Sequence, residues 1–183
     1  MNVSLSSSSH TSRCSLESLS SDRHCVFRCH QAWFAMPAVS VREITYAPLL
    51  TRIPGSHPLL AGMCHLRSEF IPVIQLDALL DNSTVEQTKA RKLLVLQGQL
   101  GHWAILISEV AALVALETLT HNDGNLDDPS SGVVLGTAMF HDEVVRVLDT
   151  HRVLQWAQAL LEQHWRSMGR GSLLGQPPIT HHM

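Results

Sequence analysis

The stretch His65-Leu66-Arg67-Ser68-Glu69-Phe70-Ile71-Pro72-Val73-Ile74-Gln75-Leu76 constrains the fold most. It reads as two strands joined by a tight turn, with an arginine at the turn and a proline inside the second strand. Strand-length apolar runs recur around it. Residues 25–30 and 32–36 predict a hairpin around Gln31, and 37–44 is a mixed segment that fits a single helical turn. Residues 48–53 read as a further short strand closed by Pro54-Gly55, and 76–80 as a short apolar helical turn at a barrel end.

Residues 81–90 are polar and separate two apolar halves. The second half opens with 92–97 and 102–107, both apolar on both faces. That pattern fits strands buried between a barrel interior and something packed outside. A strand over 110–116 follows, then a surface loop over 120–131 carrying Asn122-Asp123-Gly124. Residues 133–139 and 144–148 predict another hairpin around His141-Asp142. A helix capped by Asp149 or Thr150 then runs to about Trp165. Val153, Trp156, Ala157, Leu160 and His164 recur at helical spacing, so one face packs on the strands. Strand-dense halves with one closing helix predict a mainly β fold of paired small barrels and not a doubly wound sheet.

The ordered body is read as residues 24–166, a single domain with room for a sizeable core in a chain of 183 residues. Residues 1–23 are serine-rich and nearly free of large apolar side chains, so they read as a disordered arm. Residues 167–183, with their glycines and Pro177-Pro178, read as a loose tail.

Composition narrows the function. The 13 Lys+Arg residues are scattered and outnumbered by 16 Asp+Glu, leaving no basic field for nucleic acid. The longest apolar run, 103–116, is interrupted by Ser108-Glu109 and falls short of a membrane span. The amino terminus lacks the order of a secretory signal, so a cytoplasmic location is expected. Cys14, Cys25, Cys29 and Cys64 are too few for a disulfide scaffold. In a strand, Cys25, Phe27 and Cys29 share one face and read as core, while Cys64 and His65 are adjacent and lack zinc-ligand spacing. None of the twelve histidines sits in a recognised nucleophile setting, and no phosphate-binding glycine loop is present. A non-enzyme without metal or cofactor is expected. The competing reading is a small barrel that binds metal or nucleic acid.

Leu66, Arg67, Pro72, Val73, Ile74 and Leu76, with Gly62 upstream and Val41, Glu43 and Ile44 before them, form a combination that resembles the CheW family. The resemblance covers about residues 26 to 161. It implies two side-by-side, SH3-like five-stranded barrels with a C-terminal helix. It also implies a non-catalytic adaptor whose groove takes chemoreceptor tips and whose separate face docks on a CheA-like histidine kinase. By this likeness Arg67, Leu66, Glu43, Gly62 and His65 belong to the kinase- and receptor-facing surface. Val41, Ile44, Ala104 and Val110 belong to the receptor groove.

Four departures stand out: His65 replaces an asparagine, Ser68 a glycine, Gln75 the acid before Leu76, and Ser108-Glu109 the usual Asp-Gly before Val110. A serine in a positive-φ turn costs roughly 1 kcal/mol, so a changed turn type is expected. The departures suggest a divergent paralogue serving surface motility or second-messenger control.

Overall fold

A computed structural model describes residues 23–80, 92–99, 101–117, 120–121 and 132–171. The expectations for most of the N-terminal arm, for the polar separator, for 122–131 and for the tail beyond 171 lie outside the described residues.

Eleven strands and two helices make up the described part. The strands are β1 (Arg23–Cys29), β2 (Ala32–Pro37), β3 (Val41–Tyr46), β4 (Leu60–Leu66), β5 (Glu69–Ile74), β6 (Lys92–Gln97), β7 (His102–Ile107), β8 (Glu109–Ala115), β9 (Thr120–His121), β10 (Val134–Phe140) and β11 (Glu143–Leu148). The helices are α1 (Leu76–Leu80) and α2 (Thr150–Gly171). A 3-10 turn, Ala38–Ser40, precedes β3, so the expected helical turn is confined to three residues and the rest of that segment is strand. The expected strand over 48–53 does not form. Only Thr51 pairs, with Met63, because Pro48 and Pro54 flank it with nitrogens that cannot donate.

The strands form two barrels. One has the order β3-β6-β7-β5-β4. The other runs β8-β1-β2-β11-β10, with the two-residue β9 added at its edge. In the first, the edges meet: beyond β3, Thr51 and Met63 exchange backbone hydrogen bonds of 2.8 and 2.9 Å. The two apolar halves of the sequence are not the two barrels. The β1–β2 hairpin lies in the barrel built from the second half, and β6–β7 in the barrel built from the first.

This exchange is regular. The β5–β7 and β2–β11 pairs are parallel and every other pairing is antiparallel. The register shift after Val41 on β3 is matched by one at Val110 on β8, and that before Gly62 on β4 by one before Gly136 on β10. The chain is two structural repeats that have traded hairpins.

Trading explains why β6 and β7 are apolar on both faces. Leu93, Val95 and Ala104 pack inside the first barrel with Cys64, Ile71 and Val73. Leu94, Leu96, Ile105 and Ile107 face the other way, into a central core shared with Cys25, Phe27, Phe34 and Met36 from the second barrel. Side chains alternate between faces along a strand, so a strand with two buried faces needs no polar positions. Each such fully buried aliphatic chain contributes about 1.5–3 kcal/mol.

Helix α2 closes the central core with Val153, Leu154 and Ala157. Asp149 is its cap: one carboxylate oxygen accepts the N–H groups of His151 and Arg152 at 2.9 and 3.1 Å. The helix runs to Gly171, past the expected end near Trp165, so the first residues of the expected tail are helical.

The β4–β5 turn keeps the geometry that its serine was expected to alter. Arg67 and Ser68 have φ of 48° and 69°, and Leu66 pairs with Glu69 across them. Positive φ at both central residues is the type I′ signature, matching the twist of the strands it joins. His141 and Asp142, at φ 46° and 65°, repeat it between β10 and β11. Strand pairing on either side holds the turn in place despite its residues. Ser68→Gly therefore removes left-handed strain and is expected to raise stability by about 1 kcal/mol in a denaturant titration. A loss of stability would mean that the serine side chain supports the turn.

Candidate docking surfaces

Arg67 stands at the tip of the β4–β5 turn, where its left-handed backbone aims the side chain off the strand. Its guanidinium reaches Glu43 on β3 at 2.9 Å; the Arg67 side chain is 73% exposed and that of Glu43 20%. β3 and β4 are opposite edges of their sheet, so this ion pair spans the barrel seam at a second point beyond the Thr51–Met63 bridge. The arginine keeps most of its donors free of the protein, on an exposed tip fixed at both ends.

A second polar group adjoins it. His102 on β7 donates from Nδ1 to Glu69 Oε2 at 2.6 Å, its Nε2 lies 3.1 Å from Gln97 Oε1, and the Arg42 guanidinium hydrogen-bonds its ring. Arg42 also sits 3.7 Å from Glu69. Four strands (β3, β5, β6 and β7) supply these residues. Sequence reasoning missed them because they lie up to sixty positions apart and carry no spacing signal.

The remaining expected surface residues divide. His65 is exposed, and its ring centroid lies 5.1 Å from that of Phe70, its cross-strand partner, which is 75% exposed. Leu66 is half-buried against the first barrel's interior, so only part of it is on offer. Gly62 is a correction: it is buried, with φ 148°, and a Cβ there would lie 2.6 Å from the Thr51 carbonyl oxygen. The absence of a side chain lets the chain beyond β3 close the seam.

The expected groove residues divide too. Val41 and Val110, structurally equivalent by their register shifts, are half-buried against the central core between the barrels. Ile44 is 40% exposed on β3. Ala104 is a correction, because it is fully buried inside the first barrel beside Val73 and Val95 and presents nothing to a groove.

Immediately before Val41, Val39 and Ser40 line a cavity of about 390 Å³. Its other walls are Gln97, Gly98, Gln99 and Trp103 from the β6–β7 hairpin, and Thr150, His151, Leu154, Gln155 and Gln158 from α2. Carboxamides and hydroxyls line it together with apolar side chains, and among the described residues no carboxylate, lysine or arginine does so. Such a lining offers shape and hydrogen-bonding groups, with His151 as its one titratable side chain among the described residues. Trp103 and the two helix glutamines were not expected at a surface site. Their one sequence signal is the i, i+3 spacing of Gln155 and Gln158 on a polar helix face.

Burial raises the Cys25 thiol to about 11 and also raises that of Cys64, so both stay protonated and unreactive near neutrality. Among the described residues no group of three or more His, Cys, Asp or Glu side chains is placed to hold a metal. No helix among them is long and apolar enough to cross a membrane.

A family model described as CheW-like domain matches residues 23–158. Among solved structures, the scaffolding protein TtCheW from Thermoanaerobacter tengcongensis is similar, with a TM-score of 0.60 and 18% identity over 72% of this chain and 91% of that one. Comparison with curated proteins finds no match.

Proposed function

Because the chain belongs to the CheW-like domain family, we propose that it is a non-catalytic scaffold that couples chemoreceptor tips to a CheA-type histidine kinase on the cytoplasmic side of a chemosensory array. The observation that carries this reading is Arg67: a largely exposed guanidinium, fixed at the tip of a type I′ turn and tied across the barrel seam to Glu43. A planar donor fork held in this way suits a partner's carboxylate and loop carbonyls. Exposed Phe70 and His65 flank it and supply apolar area, which fits the kinase-facing side.

The receptor side is assigned to the cleft at Val41 and Val110 and to the cavity beside Val41. An amphipathic receptor helix needs apolar contacts with polar anchors around them, and that cavity offers both. Each contact is modest; strength comes from many copies acting together in an array.

Co-sedimentation of the protein with receptor cytoplasmic fragments, with and without the CheA-like kinase, tests the reading. Kinase is expected in the pellet only when both receptor and this protein are present. Receptor binding without kinase recruitment would reject the kinase half, and binding to neither would reject the whole.

A further inference from the structure

We propose that His57 and His164 form a pH-sensitive clasp, which fastens α2 to the loop between β3 and β4 at neutral pH and opens on acidification. The two rings meet edge to face with centroids 5.3 Å apart. His57 Nδ1 accepts the backbone N–H of Leu59 at 3.1 Å, and Leu59 is fully buried, so no solvent replaces that acceptor. His164 Nε2–H donates to the Gly55 carbonyl at 2.9 Å. One turn further along α2, Met168 lies where a Cβ on Gly55 would be in contact with it, and Gly55 has φ 71°. The loop and the C-terminal half of α2 are thus held by two rings and one close backbone approach.

These bonds define the protonation states. A ring nitrogen that accepts carries no proton, so His57 is neutral with its hydrogen on Nε2. Protonation would put an N–H at Nδ1 facing the Leu59 N–H, donor against donor. His164 is different, since its bond to Gly55 survives protonation. Its charge would instead act on His57 across the ring contact. Among the described residues no carboxylate or arginine is bonded to either ring to offset that repulsion. Burial lowers the His57 value below 6.5, and the neighbouring His164 lowers it further. The sign follows: a histidine held neutral in the folded state contributes stability that is fully present above about 6.5 and is lost as pH falls through the lower folded value. The first turns of the same helix form a wall of the cavity beside Val41, so opening the clasp loosens the element that shapes it.

Hydrogen exchange on the full chain tests the clasp without receptor or kinase, so it stands or falls apart from the docking reading. After correction for intrinsic rates, the amides of 55–57, 59–60 and 161–168 are expected to exchange several-fold faster at a pH about one unit below the ordinary histidine value than one unit above it. His57→Asn supplies a side-chain oxygen that can accept the Leu59 N–H and does not titrate, so its exchange is expected to be pH-independent. His164→Gln keeps a donor for Gly55 and removes the second ring; it is expected to retain a weaker pH response. Equal exchange at both pH values in the native chain, or an undiminished response in His57→Asn, would overturn the clasp.

Discussion

Gly62→Ala is expected to lower Tm by about 10 °C, because an added methyl group has nowhere to go. Its Cβ would sit 2.6 Å from the carbonyl oxygen of Thr51, which is backbone and cannot swing aside. The φ of 148° adds strain for any residue with a side chain. Relief requires parting the Thr51–Met63 bridge, whose two hydrogen bonds close the first barrel. Backbone strain and two lost hydrogen bonds together cost about 3 kcal/mol, which for a domain of this size is about 10 °C. Gly101→Ala is the matched comparison. Gly101 also has a positive φ, of 144°, yet a Cβ there meets nothing within 4 Å, so it carries strain alone and is expected to cost about 1 kcal/mol. Equal losses in the two variants would mean that seam closure contributes nothing. Below its melting point, Gly62→Ala is expected to keep the kinase recruitment proposed above, since the residue is buried.

Arg67→Glu is expected to abolish most kinase recruitment while moving Tm little. An ion pair this exposed is worth about 0.2–1 kcal/mol, and reversing it costs a similar amount. Glutamate in place of arginine leaves the left-handed backbone of the turn as strained as before, so the turn contributes no difference. An interface arginine that anchors binding is worth about 2 kcal/mol or more, roughly a thirtyfold loss of affinity. The double exchange, Arg67→Glu with Glu43→Arg, restores the pair across the seam with its polarity reversed. If Arg67 works by meeting the partner's carboxylates, recruitment stays lost in the double variant. Full recovery there would show that holding the turn against β3 is its whole contribution. Unchanged recruitment in the single variant would remove Arg67 from the interface.

Much of this architecture was legible along the chain. The β1–β2 hairpin, the β6 and β7 limits, the short α1 and the face of α2 all follow from local periodicity, and the structure places them within a residue or two. The Arg67 turn was legible as a turn, although not as one that keeps type I′ geometry with an arginine and a serine. The site was less legible. Val41 and Val110 are only half-buried, whereas Ala104, in an equally apolar context, is wholly inside. An alternating pattern cannot separate those cases when both faces of a strand are covered. The cluster around His102 draws on four strands and could not be read from any one of them.

By itself the sequence determined the parts: strands with one or two buried faces, two tight hairpins, and a helix with one apolar face and an aspartate cap. These depend on neighbours within four residues, where side-chain spacing and backbone preference act directly. Only the tertiary structure decided which hairpin joins which barrel. The β1–β2 and β6–β7 hairpins each bury apolar side chains on both faces, and local pattern alone does not say which barrel each joins. The choice rests on packing between segments distant along the chain, where Phe27 and Phe34 meet Leu94 and Ile105 in one core. That packing also brings Glu43 to Arg67 and closes the backbone of Thr51 over Gly62.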